Sequence, residues 1–310
     1  MRAPGIMVNN ARKTLPLVLV ARCHDQGRDC LLKLSLDVPV DTVLHLLHSG
    51  SLKLMRSGVM DYILVEEAKS LPGLRLALTA GVPGPWSEAA KALFNHHRVP
   101  FHPVLQVGGQ ANEALVEWTG HRNAPVAVWN DEAPRVRAME ILELAERLGE
   151  GPSLIPRDRE DRIRMVGLIN EIAGEQGFAW QCRMVMFDTW ASQMDAAAQA
   201  ANPMFKDYGY DSEIMTSALA RADEFLAALA ADLEASSSGF LVGDQFTAAD
   251  LYWAYFSNLL QPMPHEVNPM PDRLRQTYQL PATRLSAFDP IVLEHRDRMF
   301  ANHLILPLTF

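Results

Sequence analysis

The stretch that decides the fold is GDQFTAAD, residues 243–250, which runs directly into the apolar sequence LYWAY at residues 251–255. Thr247 and Asp250 lie three residues apart at the start of this run. At that spacing a hydroxyl accepts hydrogen bonds from the first-turn amides of a helix, while the carboxylate reaches back to the threonine amide. Phe246 precedes the threonine and can pack onto the first turn. The stretch therefore predicts a helix beginning at Thr247, with Thr247 and Asp250 as a structural cap.

Composition sets the broad class of the protein. Its 310 residues are enough for two ordinary domains. An apolar fraction of 48% with 21% charged residues is typical of a globular protein with a core. The net charge of -9 argues against nucleic acid as a partner, because phosphate neutralisation needs clustered cations.

Cysteine usage and hydropathy indicate the compartment. The three cysteines, Cys23, Cys30 and Cys182, are too few and too scattered for a disulfide framework, and no Cys-x-x-Cys pair is present. The apolar run from Leu15 to Ala21 is far too short to span a membrane. We therefore expect reduced thiols, a cytoplasmic location and no membrane partner.

Residues 1–59 differ in charge from the rest of the chain. They hold eight of the 28 basic residues and only four of the 37 acidic ones, so 20 basic and 33 acidic residues fall in positions 60–310. Three interpretations compete: a translation start placed too far upstream, a targeting segment, or a small appended module. We favour the first, with residues 1–59 as a poorly structured extra segment, because residues 60–310 predict a complete fold without them.

Residues 60–149 carry an α/β pattern. Alternation at residues 74–78 predicts a strand, apolar positions at helical spacing from Trp86 to Phe94 predict a helix, and residues 101–107 predict a second strand. A polar helix at residues 112–118 and a strand at residues 124–129 follow, and after a turn the segment from Pro134 to Leu148 has helical spacing and ends at Gly149. This β-α-β followed by β-β-α predicts a thioredoxin-like domain.

Residues 155–310 predict an all-α helical-bundle domain, after a compact linker at residues 149–153. Helical spacing covers residues 158–173, 178–200, 217–235 and 289–303, in addition to the capped helix at Thr247. The proline-rich segment 262–290 predicts an irregular, packed connection.

The capped helix and the element order together resemble the glutathione S-transferase family. The resemblance implies a glutathione-binding thioredoxin-like domain, an all-helical second domain, glutathione as co-substrate without a tightly bound cofactor, a small hydrophobic electrophile, a homodimer and a role in detoxification. It covers roughly residues 62–310.

In this family the loop after the first strand carries a serine, cysteine or tyrosine that stabilises the glutathione thiolate. The loop here reads VPGPWS, residues 82–87, and matching Pro85 and Trp86 to the family pattern puts Gly84 at that position. The resemblance then implies that the amides of the first helix turn and the hydroxyl of Ser87 contact the thiolate. Thr79 is the second candidate for this hydroxyl. Ser87 equally fits an ordinary helix cap.

The family also places a cis-proline at the start of its third strand, where the preceding backbone pairs with the cysteinyl part of glutathione. Ala124 and Pro125 match it. An ordinary strand-edge proline is the alternative, because a proline is tolerated at the first residue of a strand.

The family's acidic residue and serine, which hold the γ-glutamyl end, correspond to Arg137 and Ala138. Neither side chain matches. Asp131 and Glu132 could supply the missing negative charge, and Arg137 could be a solvated residue on a helix face. Arginine at this position favours a carboxylate over an ammonium group.

For the electrophile, the resemblance implies the cleft between the domains, and the candidate residues are Trp180, Met184 and Phe187, with Trp86, Phe178 and Trp190 beside them. A stripe of methionine and aromatic residues fits a core as well as a ligand wall. No histidine, cysteine or carboxylate group has the spacing of metal ligands.

The predicted function is conjugation of the glutathione thiolate to a small electrophile. Reduction through a mixed disulfide is disfavoured, because it normally needs a cysteine where Gly84 lies. The alternative is a non-catalytic ligand- or protein-binding module of the same fold, which the replacements at Gly84, Arg137 and Ala138 favour.

Overall fold

A computed structural model describes residues 14–25, 28–39 and 60–310. Strands β1 (Thr14–Asp25) and β2 (Arg28–Pro39) form an antiparallel hairpin in which Asp25 lies opposite Arg28. The sequence did not predict this hairpin. The rest of residues 1–59 lies outside the described residues, and its origin as an upstream start stays a prediction. Residues 60–310 form a separate compact unit.

The unit opens with a small mixed sheet in the order β4-β3-β5. Strand β3 (Leu74–Thr79) is central, pairing in parallel with β4 (Phe101–Gln106) and antiparallel with β5 (Val126–Trp129). Ile63 extends the β4 edge by one parallel bridge to Val104, and Arg135 makes one antiparallel bridge to Ala127. The second strand of the predicted β-β-α pattern is therefore reduced to a single bridge.

Four helices accompany the sheet: α1 (Val65–Lys69), α2 (Pro85–His96), α3 (Glu113–Thr119) and α4 (Ala138–Leu148). Alternate residues of a strand point to opposite faces. Leu74, Leu76 and Leu78 accordingly pack with α2 and α4 in the large core, while Ala77 packs with α1 and α3 on the other face. Helix α4 was predicted from Pro134 but begins at Ala138, because residues 134–137 first return along β5.

The second half is helical. It consists of α5 (Arg159–Ala173), α6 (Phe178–Ala191), α7 (Ala196–Ala201), α8 (Pro203–Asp207), α9 (Met215–Ala235), α10 (Ala248–Phe256), α11 (Asp272–Gln279) and α12 (Ile291–Asn302), with 3-10 turns at Ser212–Ile214, Ser257–Leu259 and Pro281–Thr283. Each half contributes residues to one continuous core. None of the helices described is both long and apolar enough to cross a membrane.

The capped helix α10 lies at the centre of this half, with all nine of its residues buried. The Asp250 carboxylate accepts hydrogen bonds from the Thr247 amide at 2.9 Å, the Thr247 hydroxyl at 2.9 Å and the Leu241 amide at 2.8 Å, and it contacts His295 Nε2 at 2.9 Å. The capping box thus also joins the preceding loop and α12 to α10.

Two predicted segments differ in the structure. The segment 178–200 is interrupted after Ala191, and a new helix, α7, begins where the Asp195 side chain accepts from the Ala198 amide at 2.8 Å. The segment 262–290, predicted to be irregular, contains helix α11. Its prolines flank α11 instead of interrupting it, and Pro271 occupies the N-cap position, where no intrahelical donor is needed.

Candidate functional site

A cleft of about 610 Å³ lies between the α/β half and the helical half, within the range of small-molecule sites. The α/β half lines it with the end of β3, the loop and first turn of α2, and the residues that precede β5. Helices α6 and α11 form the opposite wall, with Met204 and Tyr208 from around α8.

The amino terminus of α2 faces this cleft. Gly84 is the N-cap and supplies no side chain, and Pro85 follows as the first helical residue, without an amide hydrogen. The amides of Trp86 and Ser87 come next, and neither has an acceptor among the described residues. Unsatisfied first-turn amides and the helix dipole favour negative charge, so this end of α2 is suited to an anion.

The two predicted hydroxyls differ in availability. Ser87 lines the cleft, is 3% exposed and makes no side-chain hydrogen bond within residues 60–310. Thr79 also lines the cleft, but its hydroxyl donates to Gln106 Oε1 at 2.7 Å. The Ser87 proton is therefore open to a ligand, whereas the Thr79 proton is committed to Gln106.

The peptide bond between Ala124 and Pro125 is cis. Strand β5 begins after it, at Val126. The amide and carbonyl of Ala124, which lines the cleft, form no hydrogen bond in the described part of the chain. They leave one donor and one acceptor for an extended ligand backbone.

Trp86 joins the two halves of the unit. Its Nε1 donates to the carbonyl of Ala173 in α5 at 2.8 Å, and its ring meets Phe256 edge-on with centroids 4.9 Å apart. These contacts hold the first turn of α2 against the helical half. Trp86 is thus both a wall of the cleft and a structural link.

Arg183, on α6, is a cleft residue that the sequence analysis missed. Its guanidinium carbon lies 4.3 Å from the ring centroids of Trp86 and Tyr208 and 5.4 Å from that of Trp180. It forms no hydrogen bond or ion pair with any described residue, and burial lowers its pKa. The available signal was its position as the only charge between Phe178 and Phe187.

Some of the predicted electrophile-site residues line the cleft, and others are buried in the core. Phe187 and Trp190 line the cleft, and Trp180 lines a smaller adjoining hollow together with Pro125. The prediction for Met184 was wrong: its side chain is fully buried in a cluster with Val185, Phe205 and Met215. Phe178 is likewise buried in the large core. Helix α6 carries apolar residues on both faces, so its sequence alone could not distinguish wall from core.

The residues predicted for the γ-glutamyl end do not line the cleft. The Arg137 amide donates to Glu140 Oε2 at 3.2 Å, and the Ala138 carbonyl accepts from the Tyr252 hydroxyl at 3.3 Å. The suggestion that Asp131 or Glu132 supplies negative charge there was wrong, because both follow β5 at the end opposite Ala124. Glu132 instead pairs with Arg135 and with Arg147 in the last turn of α4.

The charged side chains that line the cleft are Arg122, Arg183 and Arg273, and no described carboxylate lines it. Arg122 is paired with Asp207, and Arg273 is exposed at the rim. Cys182 is fully buried outside the lining, and burial raises the pKa of its thiol. The described residues contain no group of three histidines, cysteines or carboxylates able to hold a metal ion.

Two tyrosines were also missed. Tyr208 and Tyr278 line the cleft, and the described residues provide no hydrogen-bond partner for either hydroxyl. Burial raises the pKa of Tyr278, so it stays a neutral phenol, able to donate a hydrogen bond.

No protein-family model matches this sequence, and no curated protein matches it. Solved structures do match it. A glutathione S-transferase from Methylobacterium radiotolerans, in complex with glutathione sulfonate, is 18% identical with a TM-score of 0.51 and covers 74% of this chain and 91% of that chain.

A second glutathione S-transferase, from Methylobacillus flagellatus and with glutathione bound, is 16% identical with a TM-score of 0.52 and covers 74% of this chain and 96% of that chain. At these identities the likeness is one of fold. Together with the mixed sheet, the helical half and the central capped helix, it leads to the conclusion that this chain has the fold of the glutathione S-transferases.

Proposed function

We propose that the protein binds glutathione in this cleft and transfers its thiolate to a small electrophile. The observation that carries the proposal is that the free first-turn amides of α2 and the unpaired backbone of Ala124 line one cavity. The cysteinyl backbone of glutathione would pair with Ala124, which directs its sulfur toward Trp86 and Ser87. Glutathione is then a co-substrate, with no tightly bound cofactor.

The thiol must ionise to react, because the thiolate is the nucleophile and a free thiol has a pKa of about 8.5. Gly84 contributes no side chain, so the amides of Trp86 and Ser87, the dipole of α2 and the Ser87 hydroxyl would stabilise the sulfur anion. The sulfur then forms a bond to an electrophilic carbon. In a substitution, a leaving group departs from that carbon with its bonding electrons. In an addition to a double bond, the displaced π electrons move to the neighbouring atom, which takes up a proton.

The second candidate is a module of the same fold that binds a ligand without turnover. Two observations favour it: Gly84 lacks a hydroxyl or thiol, and no described carboxylate lines the cleft to hold the γ-glutamyl ammonium. Arg137 and Ala138 replace the side chains that the family resemblance implies at that end.

Retention on immobilised glutathione, followed by an assay with chlorodinitrobenzene as a generic electrophile, separates the two candidates. We expect retention, turnover, and a loss of turnover in Ser87→Ala on the order of tenfold, since one charge-assisted hydrogen bond is removed. Ser217→Ala is the matched control, because Ser217 is exposed on α9 and bonds only to the carbonyl of Ile214. Retention without turnover would favour the binding module, and absence of both would refute the glutathione site.

A further inference from the structure

The guanidinium of Arg183 is surrounded by aromatic rings, and its hydrogen-bond donors remain available to a ligand in the cleft. The rings of Trp86, Tyr208 and Trp180 surround the guanidinium. Such contacts orient an arginine through its ring-facing sides. The five N–H donors are directed from the edge of the guanidinium plane, and within residues 60–310 none of them has an acceptor.

The charges around Arg183 do not neutralise it. The lining holds three arginines and, among described residues, no carboxylate, although the whole chain has a net charge of -9. Other arginines of the helical half do have carboxylate partners, for example Arg164 with Asp232 and Arg221 with Glu171. A partly buried cation without a counterion is costly, and an anionic ligand would remove that cost.

The surface next to Arg183 is apolar. Met186, Phe187 and Trp190 follow it along α6, and Leu274 of α11 lies across the cleft. A ligand that reaches the arginine from the cleft therefore also contacts aromatic and aliphatic side chains. A planar carboxylate matches the two-pronged edge of a guanidinium, and an aromatic body matches the apolar wall.

We propose that the electrophiles taken by this cleft are aromatic carboxylates, with Arg183 binding the carboxylate and the α6 wall binding the ring. The proposal deepens the function proposed above and rests on it for the chemistry of transfer. Recognition of the acid itself depends on Arg183 and the α6 wall, and not on glutathione. It can therefore be measured without glutathione.

Calorimetric titration with 1-naphthaleneacetate and its neutral amide tests the recognition. We expect the acid to bind wild-type protein about tenfold more tightly than the amide, because a charge-assisted bidentate pair replaces a neutral contact. In Arg183→Gln the two ligands should differ by about twofold or less, and Arg183→Lys should retain part of the preference. Arg164→Gln, at an arginine 47% exposed on α5 and paired with Asp232, is the matched control and should keep the full preference.

An equal affinity of wild-type protein for acid and amide would overturn the proposal, as would a preference that survives in Arg183→Gln. Glutathione is titrated into the same variants. A large loss of glutathione affinity in Arg183→Gln, with the acid preference intact, would assign Arg183 to a carboxylate of glutathione and also overturn it. If Arg183→Gln fails to fold, the test uses wild-type protein alone. A preference for the acid over the amide that decreases with added salt would support the proposal, and the absence of such a preference would overturn it. If wild-type protein prefers the acid but does not bind glutathione, only the transferase function fails.

Discussion

Gly84 occupies the position where the family resemblance implies a hydroxyl or thiol side chain. The space around Gly84 is large enough for a side chain. Its φ of -61° and ψ of 125° are ordinary for any residue, and an added Cβ would meet no atom within 4 Å. We expect Gly84→Ser to place a hydroxyl at the thiolate position and to lower the pKa of bound glutathione by about one unit.

The measurement for Gly84→Ser is the pH dependence of thiolate absorbance and of conjugation rate. Gly84→Ala is the matched control, because it adds the Cβ without the hydroxyl and should leave the thiol pKa near its wild-type value. A Gly84→Ser profile identical to that of Gly84→Ala would contradict the placement of the sulfur beside residue 84.

Asp250 is expected to matter more for stability than a helix cap alone. A lost N-cap usually costs about 1 kcal/mol, but here the buried carboxylate also serves the Leu241 amide and His295. Removing one member of a buried charged network costs about 3–5 kcal/mol. We therefore expect Asp250→Ala to lower the free energy of unfolding by about 3 kcal/mol or more, measured by denaturant titration.

Asp244→Ala serves as the control for Asp250→Ala, since Asp244 is exposed and has no hydrogen-bond partner among the described residues. Its effect should lie within about 0.5 kcal/mol of zero. Similar midpoints for the two variants would show that Asp250 does not organise the loop and α12.

The two ends of helix α2 differ in exposure. Its first turn opens to the cleft, whereas His97 follows its last turn and is only 1% exposed. The His97 Nε2 lies 3.3 Å from a Glu146 oxygen, without hydrogen-bond geometry, and the ring otherwise has no polar partner among described residues. Burial lowers the pKa of His97 below its usual 6.5, although Glu146 opposes this shift.

The lowered pKa of His97 makes stability depend on pH with a definite sign. The folded state favours neutral imidazole, so this contribution is complete above about pH 6.5 and is lost as the pH falls through the folded pKa. We expect the melting temperature of the wild-type protein to fall on acidification below about pH 6.5. The melting temperature of His97→Gln should fall less steeply over the same pH range. His265→Gln, at an exposed histidine, should follow the wild-type curve. Parallel curves for His97→Gln and wild type would contradict this role.

Helix α10 joins the two halves into one core. It packs against α2 of the α/β half and against α5 and α12 of the helical half. The Trp253 Nε1 donates to the Val292 carbonyl at 2.8 Å, and the Ala248 amide donates to the Leu154 carbonyl at 3.0 Å. Neither half has a complete core without the other.

We therefore expect residues 60–310 to unfold in one transition, because the two halves bury apolar surface against each other. Circular dichroism and tryptophan fluorescence should report the same midpoint in denaturant. An α/β half that melts separately from the helical half would contradict a shared core.

The homodimer implied by the family resemblance stays a prediction. Ile163, 61% exposed, and Val166, 38% exposed, lie one turn apart on α5 beside Met139 of α4. We expect a second copy of the chain to cover this apolar surface. Light scattering should give a dimer mass for wild type and a monomer mass for Ile163→Lys, and a monomeric wild type would refute the prediction.

The sequence determined the order and type of most elements, because each depends on local patterns. The three strands of the sheet and the helices α2, α3 and α4 follow from alternation and helical spacing, whereas the short helix α1 was not predicted. The capping box at Thr247 and Asp250 follows from two residue types at a fixed spacing. Helix α11 was missed because flanking prolines indicate a helix boundary as readily as an irregular connection.

Only the tertiary structure decided which of these residues meet in the cleft. Met184 and Phe187 lie on the same apolar helix, yet Met184 is buried in the core and Phe187 lines the cleft. Arg183 looked like one charge in an apolar helix until three rings, distant in sequence from one another, were found around it. The physical reason is that helix and strand patterns depend on near neighbours, whereas exposure, unpaired charge and shared cavities depend on contacts between distant segments.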